Sequence, residues 1–274
     1  MSKYFRITIT HSVLIWGVLL MIIPLWLIFA SSTHSNSIIY NEGMQWKVGG
    51  ELIENYDRVL NKKGGFTKEI TASEIFLNSF IMAFGIATLS VIVSMMAAYS
   101  LVYFKTKFSS FFFWAIFITL LVPLELRILP SYQIVSDLNL TNSYAGLILP
   151  LSASAIATFF FRQYFRSIPD ELLEAAKLDG ANSWKFFVDF LLPLSKTMIA
   201  AMFIFMFVYG YNQYLWPLIM TTSEKYWTVV MGLKMLGVGG SADRYSYIIL
   251  SLLTPVLIII FLQRLFIQGL FQSK

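Results

Sequence analysis

Cysteine is absent from this sequence, and histidine occurs only twice. The missing cysteines exclude disulfides, cysteine-ligated zinc and thiol catalysis together. His11 and His34 lie far apart along the chain, so the sequence predicts no metal site. Charged residues are also scarce, at 13% of the chain, about half of the ~25% that soluble domains carry. So few charges do not cover a soluble globule of 274 residues, and we expect lipid to be the main solvent.

Apolar residues make up more than half of the chain. The chain is 57% hydrophobic and 17% aromatic, with 25 phenylalanines. A membrane-spanning helix needs about 20 apolar residues, and continuous runs favour helices over the alternating pattern of a barrel. The sequence therefore predicts an all-α polytopic membrane protein with six transmembrane helices, at 12–30, 75–103, 110–130, 143–163, 196–220 and 245–267. The first run could be a signal peptide, but its length and the spans that follow favour an uncleaved helix.

Basic residues predict the orientation of the spans. The net charge of +5 could indicate nucleic acid, but loop lysines and arginines of a membrane protein explain it better, and we expect no nucleic-acid partner. Their bias in the short loops puts both termini in the cytoplasm. The chain then forms one transmembrane domain, 1–274, with an extracytoplasmic loop at 31–74 and a cytoplasmic loop at 167–193. A short helix is expected near 51–60, either in a folded cap or in a loose linker.

The loop at 167–193 carries local signals for two short helices. Pro169 suits a first helical position because it has no N–H to leave unpaired. Gly180 suits a helix C-terminus, and Asn182 or Ser183 can cap a second helix at 184–192. Pro193 is expected to mark the return to the membrane.

The residue types in this loop fit contact with another protein. Ala175 and Ala176 would let the helix lie close in a partner's cleft, and Glu174 offers a hydrogen-bond acceptor. Gly180 permits a sharp change of direction without a Cβ clash. From these residues alone, an amphipathic hairpin lying on the bilayer is an equally good interpretation.

The spacing of this loop resembles a known signature. Glu174-Ala-Ala is followed by Gly180 six residues after the glutamate and by Leu-Pro193 thirteen residues after the glycine. This pattern resembles the coupling loop of bacterial ABC importer permeases. The resemblance implies that the loop inserts into a cytoplasmic ATPase subunit through Glu174, Ala175, Ala176, Asp179, Gly180, Ala181 and Pro193.

The resemblance also assigns the nucleotide chemistry to other chains. No G-x-x-x-x-G-K-[ST] phosphate loop occurs here, so we expect this chain to hydrolyse no ATP and to hold no cofactor. ATP and Mg would bind the partner ATPase subunits.

Short blocks elsewhere narrow the family. Residues 113–119, 123–130, 170–172 and 211–217 resemble permeases of the carbohydrate-uptake type, in particular permease subunits of glycerol-3-phosphate importers. The resemblance implies a multi-pass protein of the bacterial inner (plasma) membrane, with a second related permease, two ATPase subunits and an extracytoplasmic substrate-binding protein as partners. The expected substrate is sn-glycerol-3-phosphate or a glycerophosphodiester, with an unphosphorylated sugar or polyol as the alternative.

Arg127 is a candidate ligand for a phosphate. A charge within a span is costly, so it usually faces a cavity or a partner, and a guanidinium can bind phosphate through two parallel hydrogen bonds. Arg127 could equally reach lipid headgroups or pair with the partner permease. Glu125 is two residues away and, on a helix, should point to a different side.

A second polar group lies in the middle of the fifth run. Asn212 and Gln213 occur among aromatic residues that include Tyr209 and Tyr214. Amides and aromatic rings suit a polyol, whereas amides also bond across membrane helices as structural contacts. The sequence leaves these two interpretations open.

Two other function classes fit less well. A self-contained secondary transporter would need intramembrane carboxylates for ion coupling, and Glu125, near the end of a span, is the only candidate. A membrane-embedded enzyme would need clustered catalytic side chains, and the spans show no such cluster.

Overall fold

The computed structural model of the chain describes residues 3–61, 70–104, 106–236 and 240–271. Those residues form helices and turns, with no strand among them, as expected for an all-α chain. The helices, in chain order, are α1 (Lys3–Ser31), α2 (Asn36–Glu42), α3 (Leu52–Asn61), α4 (Ala72–Tyr103), α5 (Ser109–Ile118), α6 (Leu124–Asp137), α7 (Tyr144–Ile148), α8 (Ala155–Arg166), α9 (Asp170–Leu178), α10 (Ser183–Lys185), α11 (Leu192–Leu194), α12 (Lys196–Tyr211), α13 (Leu215–Met220), α14 (Val229–Met235) and α15 (Ala242–Phe271).

Three helices are long and apolar enough to cross a membrane unbroken. They cover Ile7–Ser31, Ala72–Tyr103 and Ala242–Gln263. Each contains the greater part of a predicted span, so these three predictions agree with the structure in length and composition. Only 6% of the apolar stretch of α1 is buried within the chain, against 44% for α4. The two helices therefore differ in how much apolar surface they leave for lipid or for partners.

The other predicted spans are broken helices. Ser109–Leu121 and Glu125–Asp137 meet at 107°, Tyr144–Leu151 and Ala155–Arg166 at 47°, and Ser183–Leu194 and Lys196–Tyr211 at 75°. The predicted third span at 110–130 is therefore not one continuous helix, because its residues divide between α5 and α6. Val122, which precedes Pro123, is extended, because a proline disfavours the helical conformation in the residue before it.

The chain divides into two compact units. The first comprises Met1–Ile75 and Met231–Leu253, and the second Phe76–Val230 and Thr254–Lys274. In the first unit, buried Asn55 donates to the carbonyl of Ser32 at 2.9 Å, and Asn36 donates to the Asp243 carboxylate at 2.9 Å. Arg58 also approaches Asp243, at 3.6 Å. The described part of the 31–74 loop is therefore folded through specific polar contacts, which favours the cap over the loose linker, and its expected helix near 51–60 is α3.

Small residues let helices approach closely in the second unit. Ser90 and Ser94 of α4 are fully buried, and Ser94 donates through its hydroxyl to the Ser154 carbonyl at 3.0 Å. A Cβ on Gly210 would lie 3.1 Å from the Cα of Ala83. These contacts confirm the small-residue packing that membrane helices commonly use.

Candidate functional site

The first half of the 167–193 loop is a short capped helix. Asp170 and Glu171 lie in the first turn of α9, where carboxylates favour the positive end of the helix dipole. Gly180 ends the helix with a φ of +75°. The backbone N–H of Ala181 donates to the Ala176 carbonyl at 2.9 Å, and that of Gly180 to the Lys177 carbonyl at 3.0 Å. This pair of bonds is a Schellman motif, and the predicted stop at Gly180 is confirmed.

The second half differs from the single helix expected at 184–192. Asn182 caps its start, since its side-chain oxygen accepts from the Lys185 N–H at 2.8 Å. A π-helix then runs over Phe186–Leu191, and single π turns inside helices often mark functional sites. Pro193 lies within α11, so it does not itself turn the chain. The 75° bend falls between Leu194 and Lys196, around buried Ser195.

Aromatic rings form the support beneath the loop. Phe187 of the π-helix is buried and packs against Trp184 at 5.7 Å and against Tyr99 at 5.0 Å between ring centroids. Tyr103, one turn further along α4, contacts Phe186 at 5.3 Å. The Tyr99 hydroxyl donates to the Ser183 carbonyl at 2.7 Å. The loop is thereby attached to the end of α4 by packing and by a hydrogen bond.

The predicted coupling residues do not all face outward. Glu174, Ala175, Asp179, Gly180 and Pro193 are exposed, and Ala181 is half-buried. Ala176 is 1% exposed and packs into the aromatic support. The expectation that both alanines face a partner is therefore wrong for Ala176, whose small side chain serves packing within the chain.

A polar cavity of about 460 Å³ lies at the breaks in the other helices. The turn at Val122 and Pro123, the segment that precedes α8 and the last turns of α12 surround it. Its polar lining includes Thr119, Glu125, Arg127, Ser131, Tyr209 and Gln213. Four of the six residues predicted for the substrate path therefore meet at one cavity.

Arg127 and Glu125 share this cavity although they were expected on different sides of a helix. Both are exposed, and the sharp turn before α6 opens the cavity next to its first turns. Among the described side chains, no ion pair within 4.0 Å joins Arg127 to Glu125. The Arg127 guanidinium is thus not neutralised by a direct ion pair with Glu125. The Tyr209 phenol interacts electrostatically with both charges, which places all three groups in one neighbourhood.

Comparison with known proteins identifies the family. Residues 90–272 match the family described as "Binding-protein-dependent transport system inner membrane component". The chain belongs to this family. The permease is also 42% identical, over 96% of its length and 95% of the relative's, to the "sn-glycerol-3-phosphate transport system permease protein UgpE" of Yersinia pestis bv. Antiqua (strain Antiqua). The protein of the same name from Brucella melitensis biotype 1 is 41% identical over 97% of this chain and 96% of its own.

A solved structure shows the same fold. The permease matches a chain in the crystal structure of a bacterial ABC transporter involved in the import of the acidic polysaccharide alginate. The TM-score is 0.76 at 22% identity, over 96% of this chain and 98% of that chain. The predicted class, a helical importer permease of the inner membrane, is confirmed by these comparisons.

Two exposed apolar side chains of the 167–193 loop were not among the predicted site residues. Leu178 is 89% exposed and Trp184 is 66% exposed. Helix geometry could have predicted the exposure of Leu178. It lies two residues, or about 200°, from buried Ala176 and therefore on the opposite face of α9. That face also carries Glu174 and Ala175, so apolar and acidic groups of the permease point outward together.

The remaining predicted path residues lie outside the cavity. Asn212 borders a separate open groove along α12, which Tyr209 and Gln213 also border. Its amide donates to the Val208 carbonyl at 2.9 Å, and the Gln213 amide donates to the Tyr209 carbonyl at 3.2 Å. Both of these bonds go to the last turn of α12. Tyr214 is half-buried and lines neither this groove nor the cavity.

Proposed function

We propose that this permease forms half of the translocation path of an ATP-driven importer for sn-glycerol-3-phosphate or a glycerophosphodiester. Its relatives from Yersinia and Brucella, at 42% and 41% identity, are named as glycerol-3-phosphate permeases. Identity at this level over nearly the whole of each chain favours a shared substrate class.

The observation that carries the substrate proposal is the position of Arg127. Its guanidinium borders a polar cavity and forms no direct ion pair with the nearby Glu125. A guanidinium binds a phosphate through two parallel charge-assisted hydrogen bonds, each contributing about 1.5–3 kcal/mol. Tyr209 and Gln213 border the same cavity and offer polar groups to the glycerol hydroxyls.

The proposed assembly has three kinds of protein partner. Six spans, three of them broken, cross the inner membrane with both termini in the cytoplasm. A second related permease completes the path, an extracytoplasmic protein delivers the substrate, and two ATPase subunits bind ATP and Mg. The bias of basic residues in the short loops supports this orientation, which puts the 167–193 loop on the cytoplasmic side.

The coupling loop is suited to bind an ATPase subunit. Leu178 and Trp184 provide exposed apolar side chains. Side chains of this kind that become buried on binding contribute much of the binding free energy of an interface. Glu174 and Asp179 provide exposed carboxylates around them. The aromatic support under the loop connects this surface to α4 and to the bend before α12, so movement of the loop would reach the helices that line the cavity.

A second candidate substrate is an unphosphorylated sugar or polyol. Glu125 favours it, because a carboxylate in the same cavity as Arg127 opposes binding of a dianion and accepts hydrogen bonds from hydroxyls. The first candidate requires the charge of Arg127 for uptake of its substrate, and the second does not.

Uptake by the assembled importer distinguishes them. The measurement is ATP-dependent uptake of labelled sn-glycerol-3-phosphate and of labelled glycerol into proteoliposomes, with the binding protein supplied in saturating amount. We expect uptake of the phosphate alone, a loss of about tenfold or more in Arg127→Ala from the hydrogen-bond energies above, and partial retention in Arg127→Lys, which keeps the charge but not the planar fork. Unchanged phosphate uptake by Arg127→Ala would exclude this residue as a ligand, and uptake of glycerol alone would support the second candidate.

A further inference from the structure

A segment without helix or strand follows α2 and is hydrogen-bonded along the end of α1. Residues 43–51 form this segment, called here the strap. Trp26 of α1 donates through its indole N–H to the Trp46 carbonyl at 3.0 Å, and the Ser31 hydroxyl accepts from the Gln45 N–H at 2.9 Å. The Thr33 hydroxyl accepts from the Gly49 N–H at 2.6 Å. A Cβ on Gly49 would lie 2.5 Å from the Thr33 carbonyl oxygen, so this close approach requires glycine.

The strap presents apolar side chains outward at every second residue. Met44 is 42% exposed, Trp46 60% and Val48 50%. These three exposed apolar side chains lie within five residues and give the strap an apolar surface, and the exposed Lys47 lies between two of them. An apolar surface at the end of a polar loop needs a partner other than water.

The position of the strap along α1 indicates what that partner is. Trp26 lies five residues before Ser31, which corresponds to about 7.5 Å along a helix. The 25-residue apolar stretch Ile7–Ser31 is about 37 Å long and exceeds a hydrocarbon core of about 30 Å. When the stretch is centred in the membrane, Trp26 and the Trp46 carbonyl lie near the boundary between hydrocarbon and headgroups.

Internal hydrogen bonds adapt the strap to that depth. Besides the bonds above, His34 donates through Nε2 to the Lys47 carbonyl at 2.8 Å, and the Glu51 N–H donates to the Thr33 carbonyl at 2.9 Å. Backbone groups that enter the hydrocarbon must find partners within the protein, and these bonds satisfy backbone groups of the strap at the edge of that region. A loop that stayed in water would not require them.

We infer that the strap is a lipid-binding anchor at the membrane interface. Met44, Trp46 and Val48 insert among the lipid chains at the headgroup boundary, and Trp26 and Trp46 both lie at that level, where tryptophan is enriched in membrane proteins. Lys47 reaches toward lipid phosphates. The continuity of the strap with α1, of whose apolar stretch only 6% is buried in the chain, favours lipid over a protein partner.

Spin labels can test this directly because the chain contains no cysteine. Single cysteines are placed at Trp46 and Val48 of the strap, and as controls at Tyr40 and Ile53, which are 86% and 79% exposed on α2 and α3. The assembled importer is reconstituted in liposomes, and collision of each label with oxygen, which concentrates in lipid, and with a water-soluble nickel chelate is measured. The unlabelled wild-type complex gives the background.

We expect the ratio of oxygen to nickel collisions to be several times higher at Trp46→Cys and Val48→Cys than at Tyr40→Cys and Ile53→Cys. Adding Trp26→Phe to Val48→Cys removes the indole donor and should lower the ratio. Equal ratios at all four positions would overturn the inference in favour of a water-exposed strap. Labels that are immobile and protected from both reagents would overturn it in favour of a protein partner. If Trp46→Cys does not assemble, Val48→Cys decides between the same outcomes.

Discussion

The Ala181 N–H donates to the Ala176 carbonyl at 2.9 Å, and Gly180 between them has a φ of +75°. This bond closes α9 and turns the chain toward α10. The bond joins buried Ala176 to half-buried Ala181 across the turn that contains Gly180. The exposed surface of the 167–193 loop next to this turn therefore depends on the conformation of Gly180.

Gly180→Val should impair coupling through backbone strain. A left-handed conformation costs a residue with a side chain about 1–2 kcal/mol, and more when the side chain is β-branched. We expect uptake to fall roughly tenfold while the protein still inserts in the membrane. Gly180→Asn is the matched control, since asparagine is similar in size to valine and tolerates the left-handed conformation. Wild-type uptake by both variants would show that the turn is not required.

Leu178→Ala should weaken ATPase binding without weakening the fold. Leu178 is 89% exposed, so its truncation should change the free energy of unfolding by less than about 0.5 kcal/mol. An interface anchor is worth about 1–2 kcal/mol or more, so retention of the ATPase during purification should fall by about tenfold or more. Phe187→Ala, which truncates a buried ring, should instead destabilise the loop by about 3 kcal/mol. Full ATPase retention by Leu178→Ala would show that this side chain contacts no motor subunit.

Glu125→Gln should favour a phosphorylated substrate. The substitution removes a negative charge from the cavity that contains Arg127 and keeps the shape of the side chain. Since both groups are exposed and screened by salt, we expect uptake of sn-glycerol-3-phosphate at limiting concentration to rise by roughly threefold, with a smaller gain at high salt. A decrease would mean that the Glu125 carboxylate accepts hydrogen bonds from the substrate.

Gly146→Ala should destabilise the second unit. A Cβ at this position would collide with the backbone carbonyl of Leu140. A backbone group cannot rotate aside as a flexible side chain can. Overpacking of this kind costs about 1–3 kcal/mol, so the midpoint of thermal unfolding in detergent should fall by several degrees. Gly50→Ala meets open space and should leave the midpoint unchanged; a shift of equal size in both would argue against the steric explanation.

Local sequence signals predicted where the first helix of the 167–193 loop ends and the second begins. Gly180 and Asn182 act on the backbone within a few residues, so their positions alone indicate where one helix ends and the next begins. The π-helix at Phe186–Leu191 has no comparable signal, because it depends on how Phe186 and Phe187 pack against the end of α4. For the same reason the sequence did not show that Ala176 faces inward.

Hydropathy located the apolar segments but not their directions. An apolar run indicates only that a segment avoids water. A bent pair such as Ser109–Leu121 with Glu125–Asp137 has the same composition as a straight span. Pro123 offered a signal for the turn, yet its angle depends on tertiary packing. The shared cavity of Glu125 and Arg127 results from that turn and therefore could not be read from their spacing.

Cross-linking from the coupling loop is the most direct test of the proposal that this loop drives transport. Leu178→Cys, in an otherwise cysteine-free chain, is treated with a short bifunctional thiol–amine reagent in the assembled importer, with and without ATP, and Ile53→Cys serves as the control. We predict that Leu178→Cys links to the ATPase subunit with a yield that depends on nucleotide, and that Ile53→Cys does not. Absence of that link, or labelling of Leu178→Cys from the extracytoplasmic side, would contradict a cytoplasmic coupling role for the loop.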